Sequence, residues 1–509
     1  MDASVTAALL RSSTGAPSTK AVSHDWLCQP QLHARLARTV DSDEALLLLL
    51  EAAAAADDRP ASKAALLALL LDLITRIDHQ FNQQLNAILH HPLFRRLESG
   101  WRGLVYLVEQ TATHDRDERV RVKMLALSWA ELARDAQRAI EFDQTDLFRL
   151  IYSTEFDQPG GEPYGLLVGD YQIDHRRISG AISDMEVIKS VAQTAAAAFA
   201  PFITGAAPAL LGIEHFAELA AVRDVAAQFE QPEYAGWRSL RALEDSRFIG
   251  ITLPQIRLRQ PWCSDGRRAE AIPFKEQGQG SDDGSLWGNA AWALAAVAVR
   301  AYATSGWFAQ IRGLRPGHYG RGLVVDLPSL PTISSGSWGP SAVDLQIGDR
   351  LEKLLADAGL VPLSAVPYSD HLAFFSNASV HQPPRYDSAG ARVNARLSAM
   401  LQYTLCVSRF AHYIKVIARD LVGSFATAAE CERELQRWLH GYTTASDSAS
   451  DEVRARYPLH EASVSVREVQ GRPGRYLSVI HLRPHFQLDQ MVSTIRLVTE
   501  LSPRHPTTA

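Results

Sequence analysis

Between Met400 and Gly423 the chain reads MLQYTLCVSRFAHYIKVIARDLVG, an order of apolar and polar residues that leaves little conformational freedom. Apolar side chains recur at alternating steps of four and three, at Tyr403, Val407, Phe410, Ile414, Ile417 and Leu421. At about 100° per residue these six share one narrow stripe, with Ser408, His412, Lys415 and Arg419 on the opposite side. The spacing predicts an amphipathic helix with a cationic back. Gly423 is placed to take positive φ just past its last turn. Burying the stripe contributes roughly 1.5–3 kcal/mol per large side chain before ordering entropy is subtracted, which makes this helix a core element.

A chain of 509 residues exceeds one ordinary core, so about two to four domains or subdomains are expected. With 46% hydrophobic and 21% charged residues it has the composition of a soluble globular protein. The net charge of −6 and the lack of any basic block give no nucleic-acid footprint. Cys28, Cys263, Cys406 and Cys431 are far apart and form no C-x-x-C pair, which points to a reducing compartment without a disulfide framework or zinc site. The first residues lack the charged start and apolar run of a signal peptide, and Ala45–Ala56, broken by Glu51, is too short to span a bilayer. The expected location is cytoplasmic.

Residues 1–40 mix Ser, Thr, Ala and Pro without a period and read as a mobile tail. Residues 41–150 read as a helical part with one strand. Ser62 caps a helix running to His90, and Phe94, Leu97, Trp101, Leu104 and Val108 mark the core face of the next. Arg119–Leu127 then alternates, with Val120, Val122, Met124 and Ala126 against Arg119, Arg121 and Lys123, as a strand with one wet face does. Ser128 and Glu131 form a capping box for the helix Trp129–Ile140.

Residues 151–385 read as a central α/β region. Its strands are Leu166–Ile173, Phe248–Leu253, Leu323–Leu327 and His371–Phe375, its helices include Ile347–Ala358, and Gly266–Gly284 is an exposed loop. Residues 386–509 hold the long helix, a helix Glu430–Tyr442, and terminal strands Ala462–Val469, Tyr476–Arg483 and Ser493–Leu501. The expected fold class is therefore α/β, with mixed sheets and long amphipathic helices.

Motifs for chemistry are scarce. There is no G-x-x-x-x-G-K-[ST], no H-E-x-x-H and no G-x-S-x-G. The glycine cluster GGEPYG, Gly160–Gly165, precedes a strand instead of joining a strand to a helix, so a structural turn is favoured over an anion cradle. His481 and His485, with Asp489 beyond, have the spacing of metal ligands on one strand face. Pro484 interrupts that ladder, which favours structural hydrogen bonding. Glu98 and Arg102, one turn apart, read as an ion pair.

Several separated stretches resemble, in order, the large subunit of the type VI secretion contractile sheath, the TssC/VipB family. They are HPLFRRLESGWRGLVYLV (His91–Val108, with Glu98, Trp101 and Arg102), EFDQPGGEPYGLLVGDY (Glu155–Tyr171, with Gly160, Gly161, Glu162, Pro163 and Tyr164), VAQTAAAAFAPFI (Val191–Ile203), LEDSRFIGITLPQIRLRQPW (Leu243–Trp262), LWGNAAWA (Leu286–Ala293, with Trp287, Gly288 and Asn289), RFAHYIKVIARD (Arg409–Asp420, with His412, Tyr413, Lys415 and Arg419) and LRPHFQLDQMVSTIRLV (Leu482–Val498, with Arg483, Pro484, His485 and Phe486). The match extends from about Phe81 onward. RPGHYGRGLVVDLP, Arg315–Pro328, departs from the family's usual glycine run.

The resemblance implies a structural tail-sheath-like protein without enzymatic activity, cofactor or metal. It implies pairing with a TssB/VipA-like small sheath subunit into a helical sleeve around an Hcp-like inner tube, built from a baseplate and recycled after contraction by a ClpV-like AAA+ ATPase. On this reading His412, Lys415 and Arg419 face the tube or the small subunit, and Arg119–Leu127 or the C-terminal strands pair between subunits. The alternatives are a phage-like tail sheath, which needs no small partner, and a cytosolic hydrolase using GGEPYG.

Overall fold

The computed structural model describes residues 29–39, 41–56, 62–176, 182–222, 224–264, 273–278, 284–308, 310–314, 320, 322–328, 342–367, 369, 371–422, 427–446, 449–468, 476–485 and 495–501. The chain divides into two units, residues 1–91 with 262–277, and residues 92–261 with 278–509.

In the first unit, Asp41 caps the helix Ser42–Ala55 and Ser62 caps Lys63–Leu89, each side chain accepting from a first-turn amide. A short helix, Pro30–Leu36, lies within the stretch read as tail, and its Leu32 packs with Leu49, Ala53 and Leu69. Residues 273–277, expected in an exposed loop, are instead pinned to the helix Lys63–Leu89; most of the remaining loop lies outside the described residues. The cause is a pair of asparagines one turn apart. Asn82 Oδ1 accepts from the Lys275 amide at 3.1 Å and Asn86 Oδ1 from Gln277 at 3.0 Å, and Glu276 between them is buried 3.1 Å from His90 Nε2.

The second unit is built on a six-stranded mixed sheet. Its strands are β1 (Leu167–Ile173), β2 (Phe202–Ala206), β3 (Ile249–Leu253), β6 (Leu323–Val324), β7 (Val361–Ala365) and β8 (Leu372–Phe374), in the order β1-β2-β3-β7-β8-β6. The first four in that order are parallel, β8 pairs antiparallel with β7, and β6 pairs antiparallel with β8. A separate pair, β4 (Ile256–Arg259) and β5 (Leu286–Gly288), is antiparallel. The helix Asp184–Ala197 and Trp237 share one core cluster with Ile249, Ile251 and Leu253. The helix Ala291–Ser305 shares the other with Ile203, Leu363 and Phe374. Alternation along Phe202, Ile203 and along Ile249, Gly250, Ile251 divides the strands between these two faces, the arrangement a buried sheet demands.

The chain ends in a three-stranded antiparallel sheet, β11 (Ile495–Leu501), β10 (Tyr476–Pro484) and β9 (Leu459–Glu468), as the terminal pattern predicts. The helix Ala428–His440 covers it, opened by a capping box of Thr427 and Glu430.

The helix Leu401–Val422 joins the two halves of this unit. Leu401 and Leu405 belong to the core of the large sheet, whereas Cys406, Val407, Phe410, Ala411 and Ile414 belong to that of the terminal sheet. Of the expected stripe, Tyr403, Val407, Phe410 and Ile414 are buried and Ile417 is half-buried. The side chain of Leu421 and the expected stop Gly423 lie outside the described residues.

Three further expectations change. Arg119–Leu127, expected as a strand, forms no helix, turn or bend, is largely exposed and joins no sheet among the described residues. Trp101, expected in the core, is 52% exposed. Its helix, Pro92–His114, carries two apolar faces, and the inward one is Tyr106 and Leu107 beside Gly103, where a Cβ would collide with the Trp292 ring. Leu323–Leu327 contributes only its first two residues to the sheet.

Candidate functional site

The signature residues fall into four places. On the helix Pro92–His114, Glu98 accepts from Arg102 Nε at 2.7 Å, the pair that the i,i+4 spacing predicts, and also from Arg259 Nε of β4 at 2.8 Å. The Glu98 and Arg259 side chains are nearly enclosed, so the three groups form a charge-assisted hub whose third member no local spacing reveals.

After β5, Asn289 is buried and divides its amide among three elements. Nδ2 donates to the Tyr171 carbonyl of β1 at 2.9 Å, and Oδ1 accepts from the Ala291 amide at 2.8 Å and from the Thr252 hydroxyl of β3 at 3.2 Å. Gly205 of β2 makes room for it, since a Cβ there would sit 2.7 Å from Oδ1. Trp287 stacks under the buried Arg257 guanidinium at 4.8 Å, and Gly288 abuts Leu258.

On β10, Arg483 lies 3.5 Å from the Glu461 carboxylate and Pro484 breaks the register opposite Leu459. The His485 amide donates to the Pro458 carbonyl at 2.9 Å, and its ring meets His460 edge-on at 5.5 Å. Phe486, Asp489 and the Asp420 side chain lie outside the described residues. Among the described residues no group of three metal-ligating side chains converges.

The densest cluster is at the fourth place, where the long helix meets the loop Asp157–Tyr164. The preceding helix widens over Arg149–Phe156 into π-helical turns, closed by the Asp157 amide donating to the Tyr152 carbonyl at 2.8 Å. The sequence gives no sign of this widening. It sets Phe156 against His412, ring centres 5.6 Å apart, and brings Asp157 within 3.0 Å of Lys415 Nζ. Lys415 also sits over the Phe156 and Tyr152 rings, at 3.6 and 5.2 Å. Arg419 donates to the Gln158 carbonyl at 3.4 Å. Arg409 packs over Tyr413, 4.7 Å from the ring centre, and donates to the Tyr413 and Tyr302 hydroxyls.

Within the chain the cationic back is engaged as follows. His412 is buried, its Nε2–H donating to the Ala198 carbonyl at 2.9 Å, and burial pushes its imidazole down to about 4, aided by the Arg409 and Lys415 charges and opposed by that hydrogen bond. Lys415 and Arg419 engage the chain's own loop. The groups this part of the helix leaves exposed are Tyr413 and Val416.

The loop itself is folded around acids. Glu155 Oε2 accepts from the Glu162 amide at 2.9 Å and Oε1 from Lys123 Nζ at 2.8 Å, while Arg121 pairs with Glu162. Lys123 also faces the Tyr164 ring at 5.4 Å. Gly160 takes φ +82°, and a Cβ on Gly161 would collide with the Glu155 carbonyl, so both glycines are needed for the turn. The Glu162 amide is thus turned toward a carboxylate of the chain's own, which favours the structural reading of GGEPYG.

Two family models match consecutive parts of this chain. The EvpB/VC_A0108 tail sheath N-terminal domain matches residues 72–381, and the EvpB/VC_A0108 tail sheath gpW/gp25-like domain matches residues 390–501. A curated relative, the type VI secretion system sheath protein TssC1 of Pseudomonas aeruginosa, is 39% identical over 435 residues, covering 84% of this chain and 85% of that one. A chain in the cryo-electron microscopy structure of the anti-feeding prophage baseplate aligns over 77% of this chain and 82% of its own length. Its identity is 10% and its TM-score 0.32, too slight a likeness to bear on the fold.

Proposed function

Since the chain belongs to the EvpB/VC_A0108 tail sheath family and is a large sheath subunit of type VI secretion, we propose that it works as one half of a two-component contractile sleeve. Its partner is a TssB/VipA-like small subunit, and the paired subunits stack head to tail around an Hcp-like inner tube from a baseplate. Contacts of that kind do not close on themselves and so grow a filament. Contraction is a switch between two packings of the same subunits, and a ClpV-like AAA+ ATPase takes the contracted form apart. The site of action is the cytoplasm; among the described residues no helix is long and apolar enough to cross a membrane.

The observation that carries this reading is the consecutive match of both sheath modules, with the helix Leu401–Val422 buried in the core of each sheet. A subunit that transmits force between modules needs such a shared rigid element. A structural role is supported by the Glu162 amide, the Asn289 amide, the His412 Nε2–H and the Lys415 ammonium, each engaged by the chain's own backbone or side chains. Co-purification tests the reading: a tagged small sheath subunit should retain this chain in equimolar amount through gel filtration, and its failure to do so would overturn the two-component assignment.

A further inference from the structure

We infer that the segment Val120–Leu127 is a preorganised docking strand that pairs, backbone to backbone, with an extended strand of the small sheath subunit. The inference rests on the two-component reading and adds to it the place of contact.

Both ends of the segment are fixed. The Val120 amide donates to Asp115 Oδ2 at 2.6 Å, and the Leu127 carbonyl accepts from the Tyr171 hydroxyl at 2.7 Å. Between them the backbone forms no helix, turn or bend and enters no ladder among the described residues. One face is braced within the chain, with Arg121 on Glu162 and Lys123 on Glu155 and Glu162. The other presents Val122 and Met124 to solvent, and Leu125 is exposed as well. Beside it lies an open groove of about 510 Å³, lined among others by Leu125, Leu127, Arg134, Asp135, Leu147 and Leu150.

A helix laid on this surface satisfies none of the segment's backbone groups, whereas a strand satisfies them repeatedly. The same segment of a second copy is excluded as the working partner, because such pairing is isologous and closes into a dimer instead of extending an assembly. Because the basic row is already neutralised by Glu155 and Glu162, the incoming strand needs apolar side chains at alternate positions, to meet Val122 and Met124, and not an acidic face. Fixing both ends of the segment in advance lowers the ordering cost of binding.

Hydrogen–deuterium exchange on the full chain, alone and in its purified complex with the co-expressed small subunit, tests this. Amides of residues 121–126 should exchange almost unprotected in the chain alone and slow by on the order of 100-fold in the complex. A complex that forms while these amides stay fast, or amides already slow in the chain alone, would overturn the docking strand and leave the sheath reading intact. No complex at all would overturn both. Val122→Pro, which removes one ladder donor, and Met124→Glu, which charges the apolar row, should each abolish the complex while the chain alone melts as before. Met124→Glu tests the contact if the proline variant does not fold.

Discussion

Lys415 Nζ lies 3.0 Å from the Asp157 carboxylate and 3.6 Å from the centre of the Phe156 ring, so one ammonium ties the long helix to the widened turn before the glycine loop. The contact is partly solvated, with the lysine side chain 25% and the aspartate 47% exposed. It is worth about 1 kcal/mol, shared between a screened ion pair and a cation–π contact.

Lys415→Ala should therefore lower the stability of the chain by about 1 kcal/mol in urea unfolding. Lys415→Glu, which sets a second carboxylate against Asp157, should cost more, and Asp157→Lys in that background should restore part of the loss. An unchanged unfolding midpoint for Lys415→Glu would mean the junction bears no load in the isolated chain.

His412 predicts a pH dependence. Its folded pKa, about 4, lies below the 6.5 of the unfolded chain, so below pH 6.5 the unfolded state binds the extra proton. Stability is full above pH 6.5 and declines as pH falls toward 4, by up to about 3 kcal/mol. His412→Gln, which keeps a donor for the Ala198 carbonyl and cannot titrate, should flatten this slope. A slope equal to that of the unsubstituted chain would assign the acid sensitivity to other groups.

Asn289→Ala removes a buried amide that serves Tyr171, Thr252 and Ala291 at once. The orphaned groups should cost about 2–4 kcal/mol, read as a drop in melting temperature. Asn289→Asp should not rescue it, since a carboxylate cannot donate to the Tyr171 carbonyl.

The terminal sheet has unequal edges. Helix side chains occupy the outer edge of β9: Val464 N–H donates to Gln436 Oε1, Gln436 Nε2 donates to the Ala462 carbonyl, and Val466 N–H donates to Glu432 Oε2, each at 2.9 Å. Strand addition by a neighbour is therefore directed to the β11 side. Removing residues 493–509 should abolish sheath tubes while the complex with the small subunit stays soluble. Tubes of normal length would place the contact between subunits elsewhere.

What the sequence made legible follows from how local each cause is. Capping by Ser62 and Ser128 and the stripe of the long helix depend on near neighbours, and the structure repeats them. β2 and β7 went unread because strands buried on both faces lose their alternation, so FITGA and VPLSA resemble any short apolar run. Trp101 misled because the helix Pro92–His114 carries a second apolar face and the glycine that admits Trp292 lies on the quieter one. Periodicity reads Arg119–Leu127 as a strand, yet it enters no ladder among the described residues, because alternation cannot supply the second strand that pairing needs. The burial of His412 and the wiring of Asn289 depend on partners 214 and up to 120 residues away, beyond the reach of spacing.

The central claim meets its most direct test in negative-stain electron microscopy of this chain co-expressed with its small partner, beside the chain alone. Hollow tubules with cogwheel-shaped ends should form only in the co-expressed sample. A monodisperse soluble particle in both samples would contradict it.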